Sequence, residues 1–215
     1  MNKRLIVITG ATRGLGLVAV NEFLENDWQV IGTGIGERPE SFPANAQYVA
    51  FDASNFEACA TFWQDTVADN PDAQICLVNN AGGYVGGDIA STAPEEYAKQ
   101  LGMNYFPAVC MTKSLVAAVS EARIITIVSS VALSPKAKNT AYGSSKAAEK
   151  YFLQALQEEL DDKKYRLTNI YPNSIATSGP NSKAITPEEL AVFVRDQAEL
   201  NKSYYIRDVV LYSFV

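Results

Sequence analysis

Tyr142-Gly143-Ser144-Ser145-Lys146 sets a phenol and an ammonium four residues apart. On a helix such side chains share one face, a single turn removed. A neighbouring ammonium favours an ionised phenol, so a group with a reference pKa of about 10 can exchange protons nearer neutrality. The chain contains no histidine, which makes Tyr142 the natural candidate for a general acid or base. Two common residues at this spacing recur by chance on exposed helices. The weight of the pair comes from where the other signals fall.

A second chemical signal lies near the N-terminus. Leu5-Ile6-Val7-Ile8 is a short apolar, β-branched run, as expected of a strand covered on both faces. It enters Thr9-Gly10-Ala11-Thr12-Arg13-Gly14-Leu15-Gly16, which a helical pattern follows. Strand, glycine turn and helix are the context of a dinucleotide fingerprint. Gly10 permits the tight turn, Gly14 lets backbone approach a pyrophosphate, and Gly16 allows the helix to pack on the strand. The N–H groups and positive dipole end of the helix then face the phosphates.

The intervening elements must bring these two sites together. Strands are predicted at Leu5–Thr9, Trp28–Thr33, Tyr48–Phe51, Ile75–Asn79, Arg123–Ser129, Arg166–Tyr171 and Asp208–Phe214. Helices are predicted at Leu15–Asn26, Asn55–Asp69, Pro94–Gly102, Asn104–Ser120, Ala141–Leu160 and Pro187–Leu200. Regular alternation implies right-handed crossovers and an α/β fold: a single Rossmann-like, doubly wound parallel sheet of about seven strands with helices on both faces. Residues 1–215 are read as one dinucleotide-binding and catalytic domain. Ligand should lie at the C-terminal ends of the strands, where strand order switches.

Taken together, these features resemble the short-chain dehydrogenase/reductase family over nearly the whole chain. The T-G-x-x-x-G-x-G turn and the Y-x-x-x-K pair are two of six landmarks that occur in family order. Asn79-Asn80-Ala81-Gly82 looks like the family's N-N-A-G element, and Asn104 matches its structural asparagine in the helix that follows. Ser129 precedes Tyr142 by thirteen residues, at the position of the family's catalytic serine. Pro172-Asn173-Ser174-Ile175-Ala176-Thr177 resembles its P-G-x-I-x-T segment, with Asn173 in place of glycine.

The resemblance implies a mechanism. Tyr142 would protonate a carbonyl oxygen as hydride leaves a nicotinamide, or take the hydroxyl proton in the reverse direction. Lys146 would favour the ionised tyrosine and hydrogen-bond the nicotinamide ribose. Ser129 would donate to the developing alkoxide, and Asn104 would hold a water linking Lys146 to solvent. Gly10, Thr12, Arg13, Gly14, Leu15, Gly16, Asn80, Ala81, Gly82, Tyr142, Lys146, Pro172, Ile175 and Thr177 would contact the cofactor. Asp52 would contact the adenine, with Ala53 beside it at the cofactor; a role for Asp52 in capping the helix near Ser54-Asn55 is nearly as well supported.

The identity of the dinucleotide turns on the end of the second strand, Val30-Ile31-Gly32-Thr33-Gly34-Ile35-Gly36-Glu37-Arg38. A carboxylate there usually holds the ribose of NAD. Gly34 takes that position, so one barrier to a 2′-phosphate is absent, and Arg13 and Arg38 could supply charge-assisted contacts to it. NADP(H) is therefore favoured over NAD(H). Both arginines are otherwise solvated surface charges, and Glu37 could reach the ribose instead.

Two departures from the family pattern bear on the substrate. Thr177–Thr186 is much shorter than a usual substrate lid, which predicts an open site or one closed by a neighbouring subunit. Asn173 stands beside the nicotinamide position. Pro39–Gln47 cannot hold a full helix. Tyr84, Tyr97, Leu133, Ser134, Tyr171 and Asn173 are expected to line the pocket. The glycine-rich loop Gly82–Gly87 is similar to that of dihydropteridine reductase-like members, so a reductase of a quinonoid or C=N ring is an alternative to a carbonyl reductase; a non-catalytic NADP(H)-binding sensor is a third, which the Ser129, Tyr142 and Lys146 set argues against.

Composition bounds the remaining possibilities. A net charge of −6, with 47% hydrophobic and 20% charged residues, describes an ordinary soluble globule and argues against nucleic acid or an anionic membrane as partner. Cys59, Cys76 and Cys110 lack metal-ligand spacing and read as reduced buried thiols, and no apolar run reaches the ~20 residues of a membrane span. Met1–Arg4 leads directly into the first strand, so a cytoplasmic enzyme acting on a small carbonyl or alcohol substrate is expected. Val109, Leu115, Val116, Tyr151, Phe152 and Leu156 give two helices a second apolar face, which predicts a homodimer or homotetramer.

Overall fold

Five of six residues in the first strand are buried, and its side chains divide by parity between two cores. Ile6 and Ile8 pack with Ala19, Val20 and Phe23, whereas Leu5 and Val7 pack with Trp63, Met111 and Leu115. The computed structural model of the chain describes residues 3–176, 184–200 and 203–213. Within them lie β1 (Arg4–Thr9), β2 (Gln29–Gly34), β3 (Gln47–Ala50), β4 (Gln74–Asn79), β5 (Ala122–Ile127), β6 (Tyr165–Pro172) and β7 (Asp208–Leu211). The helices are α1 (Gly14–Glu25), α2 (Phe56–Asp69), α3 (Pro94–Asn104), α4 (Phe106–Ala118), α5 (Thr140–Glu159) and α6 (Pro187–Glu199).

The strands form one parallel sheet in the order β3-β2-β1-β4-β5-β6-β7. Chain order therefore reverses between β1 and β4, the switch point at which a crevice opens beyond the strand ends. Helices α1 and α6 cover one face; α2 and α4 cover the other, where Leu156 of α5 also packs. Trp63 of α2 donates its indole N–H to the Met111 carbonyl of α4 at 3.0 Å, which fixes the two helices against each other.

The predicted elements occur with their ends moved by a few residues. β5 stops at Ile127 and leaves Ser129 in the loop. Asn104 closes α3 rather than opening α4. The break falls at Tyr105 because Pro107 has no N–H to donate to the carbonyl four residues back. The expected lack of a helix between β2 and β3 holds; Phe42, buried there, meets Tyr48 edge-on with centroids 5.2 Å apart. All three cysteines are free and buried, and burial pushes the Cys59 and Cys76 thiols up to about 12.

Candidate active site

The glycine turn connects β1 to α1 at the switch point. Gly10 and Gly14 have φ of +64° and +54°, a region side chains rarely adopt. A Cβ added to Gly14 would meet nothing within 4 Å, so its backbone faces open space. Gly16 is the opposite case. There a Cβ would come within 2.2 Å of the Gly10 carbonyl oxygen, so the helix lies too close to the turn for any side chain. α1 has no side-chain cap, unlike α2 and α6, and no acid in its first turn, unlike α2, α3 and α6. Its leading N–H groups are left for an anion. Arg13 sits at the helix entrance, exposed and without a partner among the described residues.

β4 is tied to this turn by Thr9. The Thr9 hydroxyl oxygen accepts from the backbone N–H groups of Asn80 and Ala81 at 3.0 and 2.9 Å. The Asn80 amide donates to the carbonyls of Thr9 and Gly10 at 3.0 and 3.2 Å. Asn80, Ala81 and Gly82 are thereby held beside the glycine turn.

Tyr142 lies in the first turn of α5, and its hydroxyl has no hydrogen-bond partner among the described residues. Its backbone carbonyl accepts from Ser145 Oγ at 2.7 Å, and Ser145 Oγ in turn accepts from Asn104 Nδ2 at 3.1 Å. Asn104 Oδ1 accepts from the Gly83 N–H at 2.9 Å. Asn104 thus joins the end of α3, the turn of α5 carrying Tyr142 and the loop after β4. A further anchor runs from the Gly87 N–H to the Lys138 carbonyl at 2.9 Å. Ser129 has extended backbone and caps a short 3-10 turn at Ser130–Ala132, its Oγ accepting from the Val131 N–H at 3.3 Å. That turn packs against α5, with Val131 beside Gly143.

Lys146 is only 5% exposed. Its Nζ donates to the Ile127 carbonyl at the end of β5 at 3.1 Å and to Glu149 Oε2 at 2.7 Å. Burial pushes the Glu149 carboxyl up, and Lys146 pulls it partly back. Neither Glu149 nor the linking roles of Thr9 and Ser145 was anticipated. Glu149 was readable in principle, because a carboxylate three residues after a lysine shares its helix face.

Other expectations need correction. Tyr171 does not line a pocket: it is 1% exposed, packs with Val128 and Leu153, and donates its hydroxyl to Asp208 at 2.8 Å. Asn173 turns from the site, its Oδ1 accepting from the Ser213 N–H at 3.1 Å. Arg38 donates to the carbonyls of Phe42 and Pro43 at 3.3 and 2.6 Å and lies over the Phe42 ring. Its guanidinium is therefore largely committed to its own loop. Asp52 accepts from the Ser54 N–H and hydroxyl, while Asn55 caps α2; Ala53 is buried beneath them. Pro172 ends β6, and Ile175 bridges to Ile185. Thr177 and most of the predicted lid lie outside the described residues.

A parallel sheet with a glycine turn at its switch point, and a Tyr–Lys pair on the helix after β5, together define a dinucleotide-dependent oxidoreductase architecture. The chain belongs to the short chain dehydrogenase family, whose profile matches residues 4–187. It is 33% identical over 180 residues to serine 3-dehydrogenase of Rhizobium radiobacter, covering 80% of this chain and 72% of that one. It is 28% identical over 214 residues to an NADP-dependent 3-hydroxy acid dehydrogenase of Salmonella typhi, covering 86% and 85%. Among solved structures, an alcohol dehydrogenase from the archaeon Thermococcus sibiricus, complexed with 5-hydroxy-NADP, superposes with a TM-score of 0.88. The two are 20% identical, with 98% and 97% of the chains covered, a likeness of fold.

Proposed function

We propose that this protein is an NADPH-dependent reductase of small carbonyl compounds, working in reverse as an alcohol dehydrogenase, with Tyr142 as the proton-transfer residue. The observation that carries the reading is a Tyr142 hydroxyl with no hydrogen-bond partner among the described residues, one helical turn from Lys146 on α5. The dinucleotide fits the residues present. Open space over Gly14, the uncapped start of α1 and the exposed Arg13 suit a pyrophosphate and a 2′-phosphate. Gly10, Thr12, Leu15 and Asn80–Gly82 would line its path. Both sequence relatives are dehydrogenases, and the Salmonella typhi one is NADP-dependent.

When bound, the nicotinamide supplies or accepts hydride. Tyr142 donates a proton to the carbonyl oxygen as that oxygen gains charge. Ser129 directs its hydroxyl to the same oxygen, and Lys146 stabilises negative charge on the phenol from one turn away. Asn104 holds the Tyr142 turn and the Gly83 loop in register. In this reading the enzyme is cytoplasmic and assembles as a homodimer or homotetramer through α4 and α5. Of the residues expected on the second apolar face, Leu115, Val116 and Leu156 pack in the core of the chain itself, so support for assembly comes from Tyr151, 77% exposed, and from Phe106, 45% exposed. Among the described residues no helix is long and apolar enough to cross a membrane.

The test is oxidation of NADPH, with NADH in parallel, against ketones, 3-oxo acids, α-dicarbonyls, quinones and a quinonoid dihydropterin. The reverse reaction is run on serine and other 3-hydroxy acids. Turnover with a ketone or 3-hydroxy acid supports the reading. Turnover with the dihydropterin alone replaces it with a pterin-type reductase.

A further inference from the structure

The proposed proton-transfer residues have a buried charge behind them that hydride and proton transfer do not themselves require. Glu149 is 1% exposed and lies on the same inner face of α5 as Lys146. With Glu149 Oε2 at 2.7 Å and the Ile127 carbonyl at 3.1 Å, two of the three ammonium N–H bonds point into the protein. Nζ stands close to Gly82, where an added Cβ would be 3.9 Å away. One N–H is therefore left for the site.

A carboxylate is a costly residue to place at this position. Val128, Leu153 and Tyr171 form an apolar cluster on this side of the sheet, and Lys146 already has the Ile127 carbonyl as an acceptor. An apolar side chain would fill the position without a desolvation penalty. The carboxylate does something an apolar residue cannot: it compensates the lysine charge. We propose that Glu149 is a positioning residue, which fixes the Lys146 ammonium at the floor of the site and sets how strongly that ammonium favours the Tyr142 phenolate. This rests on the reading that Tyr142 and Lys146 carry proton transfer.

Few other ionisable groups compete for this role. Tyr142 itself lies on α5, with Tyr84 against it from the loop after β4. Tyr171 faces the pair from β6 and feels the Glu149 charge, and its hydroxyl is held by Asp208 of β7. α3 contributes the amides of Gln100 and Asn104, which bond each other at 3.0 Å. Among the described residues, compensation of Lys146 at hydrogen-bond distance therefore falls to Glu149.

The experiment is a spectroscopic titration of the full chain without cofactor, following tyrosinate absorbance in the wild type and in Glu149→Gln. Each is also measured with Tyr142→Phe, so that the difference isolates one phenol among eleven tyrosines. Glutamine keeps the size and hydrogen bonding of the side chain but leaves the ammonium uncompensated. The Tyr142 signal should move to lower pH by roughly one unit, and Glu149→Asp should restore most of the wild-type position. The pH profile of turnover should move in the same direction. An unchanged Tyr142 titration in folded Glu149→Gln overturns the proposal. A shifted titration in a protein that shows no turnover sustains it and defeats the carbonyl-reductase reading instead. Should the glutamine variant unfold, ammonium-proton exchange in wild-type protein carrying 15N-lysine gives a second reading. One slowly exchanging ammonium, lost in Lys146→Arg, supports the pair, and uniformly fast exchange contradicts it.

Discussion

The rings of Tyr84 and Tyr142 meet edge to face, with centroids 5.0 Å apart and planes at 87°. Tyr84 belongs to the glycine-rich loop after β4, and Tyr142 opens α5, so a glycine-rich segment is held over the candidate acid by one aromatic contact. The Gly83 and Gly87 backbone bonds to Asn104 and Lys138 fasten the loop on both sides of that ring. Tyr84 remains 63% exposed, which suits a side chain that meets substrate rather than one that builds the core.

Tyr84→Ala should therefore act on substrate more than on cofactor. Removing an aromatic contact of this kind forfeits about 0.5–1.5 kcal/mol beyond area burial. The expected result is a several-fold loss in kcat/KM with NADPH affinity unchanged within error. Steady-state kinetics and fluorescence titration with NADPH check the two parts separately. An equal loss in both would mean that the loop organises the cofactor site instead.

Arg13 and Arg38 should separate on substitution. Arg13, at the entrance to α1, has no partner among the described residues, whereas Arg38 is bonded to the carbonyls of Phe42 and Pro43. A charge-assisted hydrogen bond contributes about 1.5–3 kcal/mol. Arg13→Ala is expected to weaken NADPH binding roughly tenfold or more and leave NADH binding nearly untouched. Arg38→Ala should chiefly lower the melting temperature by loosening the β2–β3 connection. Equal effects of Arg13→Ala on both nucleotides would remove it from the 2′-phosphate.

Gly16→Ala should damage binding and stability together. The added carbon would stand 2.2 Å from the Gly10 carbonyl oxygen and 2.7 Å from Asn80 Nδ2. Relief requires the helix to move off the turn, at about 1–3 kcal/mol, or roughly 2–4 °C in Tm per kcal/mol for a chain of this size. Gly14→Ala meets no atom and strains only its positive φ, so it should cost less stability. Thermal melts of the two variants, with and without NADPH, make the comparison.

The sheet was legible because parallel strands covered on both faces are nearly continuous apolar runs, as Leu5–Ile8 and Ile75–Val78 are. The glycine turn and the Tyr142–Lys146 pair were legible because each is defined by short spacing within one element. Interactions between distant residues were not. Asn173 lies within the expected nicotinamide segment, yet its partner, Ser213, is forty residues away across the β6–β7 pairing. Tyr171 at a strand end reads equally as pocket or core, and only the Asp208 bond and the Leu153 packing decide for core. The spacing of Lys146 and Glu149 makes an ion pair on one helix face readable, but does not show that the pair is buried. Its burial depends on how α5 sits on the sheet, which no local pattern encodes.

The most direct test is turnover with NADPH and the best carbonyl substrate in the wild type and in Tyr142→Phe, with NADPH affinity measured on both. Loss of the general acid should lower kcat by about 10²–10⁴-fold while affinity for the cofactor stays within about twofold, an energy change well below one hydrogen bond. A Tyr142→Phe protein that turns over at the wild-type rate would contradict the assignment of proton transfer to Tyr142, and with it the supporting roles of Lys146 and Glu149.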